Sequence, residues 1–243
     1  MSMRSIWIIT KRELQSFFDS LIAYIMLVLF LGFSGFFTWL YGSDVFLVGQ
    51  ASLQSFFGIA FWTLFFFIPA ITMRMLAEEK KAGTIELLLT KAVTDRQVVL
   101  GKFLACFLLV AIALAFTIPY YITLANIGNV DHGAILSGYL GLLLISGAYI
   151  SIGIFTSSVT NNQIVAFLMA LFIGLFFHII FNVLASNFTG FVGQLFNYLS
   201  LSVHFDSISR GVIDTRDVVY FLSLIGAGIL LSEMNLAKRN LTN

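Results

Sequence analysis

Long apolar stretches separated by short polar segments dominate this chain. A helix needs about 20 consecutive, mostly apolar residues to cross the hydrocarbon core of a bilayer. Windows with few or no charged residues are long enough for six such helices, and the polar run 157–163 separates the fourth from the fifth. The run TDRQ at 94–97 predicts a capping box where the third helix begins. The pattern therefore predicts six spans, at 21–41, 56–73, 98–123, 135–156, 164–184 and 218–236.

Composition favours a membrane protein over a soluble one. Hydrophobic residues make up 59% of the 243 positions and charged residues only 10%, whereas a soluble domain carries about 25% charged residues. A soluble fold could not cover so large an apolar core with polar surface. We therefore predict an all-α integral membrane protein with one polytopic membrane domain over 1–243. The net charge of +1 gives no sign of nucleic-acid binding.

The distribution of Lys and Arg predicts how the spans are oriented. Six spans put both termini on one side of the membrane, and cytoplasmic segments carry an excess of Lys and Arg. With the termini inside, the inner segments hold eleven of these residues, while the outer loops hold only Arg210 and Arg216. We therefore expect cytoplasmic termini, a cytoplasmic segment 74–97 and a long outer loop 185–217.

Residues 1–20 have the pattern of an amphipathic helix. Trp7 and Phe17 share an apolar face. Lys11 and Arg12 share the opposite, polar face. A basic face opposite aromatic residues is typical of a helix that lies in the membrane interface, so we predict an interfacial helix bound to the lipid bilayer. The alternative is a plain extension of the first span.

A second, shorter amphipathic helix is predicted at 82–92. Thr84 can cap its N-terminus, and Glu86 falls in its first turn, where the helix dipole favours an anion. Leu88 belongs to an apolar face that Leu87 widens. A helix of about two turns is not stable alone in water. Its apolar face must therefore be buried, either against the inner ends of the spans or in a cleft of a soluble partner.

The spans lack the chemistry of an ion-coupled carrier or an enzyme. A carrier normally keeps an ionisable group at membrane depth, and no span centre contains Asp, Glu, Lys or Arg. His178 and Asn182, four residues apart on the fifth span, are the notable polar pair there, and an interhelical hydrogen bond is the simpler role for them. Metal-ligand, phosphate-loop and protease motifs are missing, which predicts no metal and no cofactor. Any transport must draw its energy from another polypeptide.

The charged segment and its flanks resemble a known family. The run AEEKKAGTIELLLT, followed by VTDRQVVLGKFLA, resembles the segment between spans two and three of type 2 ABC transporter permeases. Residues 198–225 are similar to the final outer segment and last span of that family. Within the family, the chain is most similar to the gliding-motility-associated permease subunit. One departure is Lys91-Ala92-Val93, where many relatives have Ser-Pro-Val.

The resemblance implies a non-catalytic permease subunit of an ATP-driven exporter in the bacterial inner membrane. It implies that 82–92 is a coupling helix that docks onto a separate ABC ATPase subunit, and that spans one, two and five transmit its motion. The residues that would contact the ATPase or hold the coupling helix are Glu78, Glu79, Gly83, Thr84, Glu86, Leu87 and Leu88.

Further partners follow from the same resemblance. Six spans would form half of a pathway, so a second permease chain, identical or related, is expected. An accessory membrane subunit with a large outer domain is also expected. The alternative function is a membrane scaffold that recruits an ATPase and has no transport path of its own.

Overall fold

The computed structural model describes residues 3–41, 52–84 and 94–238 of the chain. All regular secondary structure in these ranges is helical. The helices are α1 (Met3–Asp19), α2 (Leu21–Trp39), α3 (Gln54–Thr72), α4 (Ala77–Lys81), α5 (Asp95–Ala115), α6 (Ile118–Ile127), α7 (His132–Val159), α8 (Gln163–Leu175), α9 (Phe181–Asn187), α10 (Gly190–Leu199), α11 (Leu201–Ser209) and α12 (Thr215–Lys238). A π-helical turn, Phe176–Ile180, joins α8 to α9.

Six stretches of the described chain are long and apolar enough to cross a membrane. They are Leu21–Trp39, Gln54–Lys81, Asp95–Ile127, His132–Val159, Gln163–Asn187 and Thr215–Lys238. These helices confirm the predicted all-α integral membrane fold. The structure adds α10 and α11, two short helices inside the segment 185–217, which was predicted only as an outer loop.

The centre of the bundle is α7, the helix of the fourth span. In its most apolar stretch 72% of the residues are buried, against 28% for both α2 and α12. Glycines let its neighbours approach closely. A Cβ at Gly138 would overlap the ring of Phe57 in α3, and a Cβ at Gly147 would lie 2.7 Å from the side chain of Ile225 in α12. Helix α7 is therefore held by close contacts on more than one side.

A polar pair joins the short helix α11 to α12. Nδ1 of His204 lies 2.6 Å from Oδ1 of Asp217, and Nε2 of His204 lies 2.9 Å from the carbonyl oxygen of Tyr198. Because a carbonyl oxygen can only accept, Nε2 must carry a proton. The ring also stacks on Tyr220 at 4.0 Å. The segment before α12 is thus packed onto the bundle.

The close contact between α7 and α3 leads to a prediction about stability. Gly138→Ala should lower the midpoint of thermal unfolding in detergent, because the added methyl group forces Phe57 to move, and such overpacking costs about 1–3 kcal/mol. Gly32→Ala in α2 is the matched control, since a Cβ there meets no atom within 4 Å among the described residues. The control should unfold at or slightly above the native midpoint, because Ala favours helix over Gly. Equal midpoints for the two variants would contradict the packing seen at Gly138.

Candidate functional site

Four charged side chains meet at one end of the bundle, where α1, α4 and α5 come together. Nζ of Lys102 lies 3.2 Å from Oε1 of Glu13 and 2.7 Å from Oε1 of Glu79. The side chain of Lys102 is only 1% exposed. Arg12 lies at the rim of the group and contacts both carboxylates. We name these four residues the Lys102 cluster, and the end of the bundle that holds them the charged end.

Local sequence explains how α5 brings Lys102 to this place. The predicted capping box is confirmed: Oγ1 of Thr94 accepts from the N–H of Gln97 at 3.3 Å, and Oε1 of Gln97 accepts from the N–H of Thr94 at 3.1 Å. The two bonds fix the start of α5 two turns before Lys102. The neighbouring residue, Gly101, then lets α1 approach, because a Cβ there would lie 2.7 Å from the side chain of Ile9.

Helix α1 brings Glu13 to the same place. Its buried residues, Ile6, Ile9, Thr10, Glu13 and Phe17, recur at helical spacing on one side. This side packs along α5, and Oγ1 of Thr10 lies 3.1 Å from the carbonyl oxygen of Gly101. The charged residue Glu13 is buried on this mainly apolar side because Lys102 faces it.

The charges in the Lys102 cluster balance one another. Two cations and two carboxylates give a formal sum of zero when all are ionised. Burial alone would raise the pKa of Glu13, but the positive charges of Lys102 and Arg12 outweigh it and lower that pKa below its ordinary value. Glu13 is therefore ionised at neutral pH. A buried ammonium group is tolerated only when it is paired in this way.

A second set of contacts holds the segment between α3 and α4. Oγ of Ser157, near the end of α7, accepts from the N–H groups of Leu76 and Ala77, each at 3.0 Å. The same hydroxyl donates to the carbonyl oxygen of Met73 at 2.9 Å. In addition, the guanidinium carbon of Arg74 lies 5.0 Å from the centre of the Phe17 ring. Residues 73–79 are thus fixed to α1, α5 and α7.

The chain leaves this anchored segment at Gly83. Helix α4 ends at Lys81, and Gly83 has a φ of +67°, in the left-handed region that favours glycine. The N–H of Thr84 closes the turn by donating to the carbonyl oxygen of Glu79 at 3.0 Å. Thr84 is exposed at the surface. The segment that follows therefore starts from a surface position beside the Lys102 cluster.

The residues predicted to contact the ATPase or to hold the coupling helix differ in their surroundings. Glu79 is bonded inside its own chain to Lys102, whereas Glu78 is exposed, as are Gly83 and Thr84. The remaining predicted residues, Glu86, Leu87 and Leu88, lie outside the described residues, and so does most of the predicted helix 82–92.

The four residues predicted for the interfacial helix also differ in their surroundings. Trp7 is 60% exposed, and Lys11 is exposed. Arg12 belongs to the Lys102 cluster, and Phe17 is fully buried against the bundle. Helix α1 is a separate element from α2, because the helix is interrupted at Ser20. The hydroxyl of Ser20 donates to the carbonyl oxygen of Phe17 at 2.9 Å. One apolar side of α1 therefore packs on protein, and Trp7 projects from the other.

The polar pair His178 and Asn182 contacts neighbouring helices. Within the described residues no hydrogen bond joins their two side chains. The hydroxyl of Ser202 in α11 donates to the carbonyl oxygen of His178 at 2.7 Å, and Nδ2 of Asn182 lies 3.5 Å from the same hydroxyl. The imidazole Nδ1 of His178 is bonded to the hydroxyl of Tyr149 in α7. His178 lies in the π-helical turn, and its carbonyl accepts the hydrogen bond from Ser202.

These features define the class of protein. It is a polytopic all-α membrane protein with a buried cluster of charged side chains at one end of the bundle. A family model described as ABC-2 family transporter protein matches residues 41–232. The chain belongs to this family, and it is therefore a membrane-spanning permease component of an ABC transporter. A search of curated proteins finds no match. Members of the family are transport components without catalysis of their own, and they generally work with an ABC ATPase.

The Lys102 cluster leads to a prediction about folding. Lys102→Met should destabilise the protein by roughly 3–5 kcal/mol, because it leaves Glu13 and Glu79 largely buried without the shared ammonium group. Lys81→Met is the matched control, since Lys81 is exposed at the end of α4. Chemical unfolding in detergent, followed by circular dichroism, measures the difference.

A triple variant separates charge from shape in this experiment. Adding Glu13→Gln and Glu79→Gln to Lys102→Met removes the unpaired carboxylates and should recover most of the lost stability. Equal stability of Lys102→Met and Lys81→Met would contradict the role of the cluster.

Proposed function

We propose that the segment 74–97 is the coupling segment of this permease, through which an ABC ATPase moves the spans during export. The main support for the proposal is the way in which this segment is attached to the bundle. The residues that lead out of α3 are anchored by the Lys102 cluster and by Ser157. The chain then reaches exposed positions at Gly83 and Thr84. A segment anchored in this way passes a displacement on to the helices that hold it.

The contact with the ATPase would use the residues beyond the anchored part. Leu87 and Leu88 supply the apolar side that would fill a cleft on the ATPase, and Glu86 would lie in the first turn of the coupling helix. Glu79 is already paired with Lys102. The charged rim that steers docking would therefore be formed by exposed residues such as Glu78. Charged residues at a rim act mainly on the rate of association.

Orientation and assembly are part of the same proposal. The excess of Lys and Arg, eleven residues against two, supports cytoplasmic termini and a cytoplasmic charged end in the bacterial inner membrane. Three of the six spans, α2, Gln163–Asn187 and α12, have fewer than a third of the residues in their most apolar stretch buried among the described residues. A second permease chain, identical or related, would complete the pathway. The resemblance further supports an accessory subunit with an outer domain and a role in gliding motility.

The coupling contact is testable by binding and ATP hydrolysis. Leu87→Asp combined with Leu88→Asp should abolish both the complex with the cognate ABC ATPase and the stimulation of its ATP hydrolysis, because charge cannot be buried unpaired in an apolar cleft. The matched control is Val212→Asp with Ile213→Asp, two adjacent exposed aliphatic residues between α11 and α12. The control should keep the native affinity and turnover.

Two outcomes would contradict the proposal in different ways. Native affinity of the Leu87/Leu88 variant would show that the ATPase docks elsewhere. If the native complex forms but its spans do not rearrange with ATP, the alternative function of a passive scaffold is the correct one. Spin-label distances between α2 and α12 in proteoliposomes, with and without ATP, measure that rearrangement.

A further inference from the structure

Ser157 occupies a junction that the predicted coupling mechanism does not include. It lies near the end of α7, and its side chain is completely buried. In the sequence, Ser157 is the first residue of the polar run 157–163 that separates two spans. The resemblance named spans one, two and five as the transmitting elements. In the structure, the central helix α7, the fourth span, contacts the backbone that leads into the coupling segment.

We propose that Ser157 is a positioning residue that makes α7 the main route by which motion of the coupling segment enters the bundle. This inference rests on the proposed function, since it assumes that the segment moves. It goes further by assigning the route to one helix and one hydroxyl group.

The hydrogen-bonding capacity of Ser157 is used in full. A hydroxyl group has one donor hydrogen and two acceptor lone pairs. The hydrogen is donated to the carbonyl oxygen of Met73, and the lone pairs accept from the N–H groups of Leu76 and Ala77. Helix ends leave such backbone groups without partners. Here the hydroxyl from α7 supplies those partners across the break between α3 and α4.

Contacts next to Ser157 hold α7 closely packed against α3, α4 and α12. A Cβ at Gly153 would overlap the side chain of Thr72, the last residue of α3. The carbonyl oxygen of Ser158 accepts from Nζ of Lys80 in α4 and from Nδ2 of Asn235 in α12. Closely packed interiors transmit displacement rather than absorb it. Movement of α4 is therefore passed to the end of α7.

The other end of α7 contacts the short helices of the 185–217 segment. Helix α7 contains 28 residues, which corresponds to a length of roughly 42 Å. Near its start, a Cβ at Gly141 would lie 3.3 Å from the ring of Phe205 and 3.2 Å from Ile208, both in α11. One continuous helix thus connects the coupling segment with α11.

The experiment compares two buried serines on the same helix. Ser157→Ala removes the three bonds to the 73–77 backbone, whereas Ser146→Ala removes only a bond to the carbonyl oxygen of Leu142 within α7. Both variants are made in the full chain and reconstituted with the cognate ABC ATPase. Ser157→Ala should keep the native dissociation constant for the ATPase, yet lose most of the stimulation of ATP hydrolysis. Ser146→Ala should keep both.

Hydrogen–deuterium exchange tests the contact itself, in the permease without the ATPase. In Ser157→Ala, the amides of Leu76 and Ala77 should exchange roughly five-fold faster, as expected for the loss of one hydrogen bond each. Ser146→Ala should leave them unchanged. Unchanged exchange in Ser157→Ala overturns the assignment of the bonds, and native stimulation of ATP hydrolysis in that variant overturns the assignment of the route.

A measurement on the native chain covers the case in which Ser157→Ala does not fold. Adding a non-hydrolysable ATP analogue to the native complex should change exchange in 73–84 and in the last turns of α7 together. A change confined to 73–84 and to spans one, two and five would overturn the inference. Failure of the native chain to bind the ATPase would instead overturn the proposed function, while the exchange comparison of the isolated permease variants would still decide whether Ser157 holds the segment.

Discussion

The buried ammonium group of Lys102 is the constraint on which the charged end of this protein depends. An unpaired charge in this position would cost several kcal/mol, so two carboxylates from distant parts of the chain must reach it. Glu13 can do so only if α1 packs along α5, and Glu79 only if the chain folds back after α3. One side chain thereby fixes the relative positions of three helices.

Under the proposed function, this arrangement would hold the coupling segment firmly at the bundle and leave its exposed part for contact with the ATPase. The Lys102 cluster and Ser157 hold the backbone on two sides, and the left-handed conformation of Gly83 then turns the chain toward the surface. Membership of the ABC-2 transporter family gives this geometry its functional context. A stiff attachment is needed where energy released on one protein must move helices in another. In this chain the attachment leads to the most buried helix, α7.

Features that depend on neighbouring residues could be predicted from the sequence. Apolar windows locate the six spans because the bilayer sets a minimum length, and the capping box at Thr94 is visible because its two partners are three residues apart. The Lys102 cluster could not be predicted in this way, since Glu13 and Lys102 are 89 residues apart. Lys102 counted only toward orientation, and Ser157 only as a polar break. His178 and Asn182 lie in one span, but the π-helical turn and α11 decide their partners.

In the proposed mechanism, the anchored segment emerges beside the Lys102 cluster on the side of the membrane where the ABC ATPase binds. Labelling Thr84→Cys with a membrane-impermeant maleimide tests it most directly, because the one native cysteine, Cys106, is buried. A cytoplasmic coupling segment should give rapid labelling in inside-out membrane vesicles, protection of the same site when the ATPase is bound, and no labelling in intact cells. Labelling of Thr84→Cys from outside intact cells would contradict it.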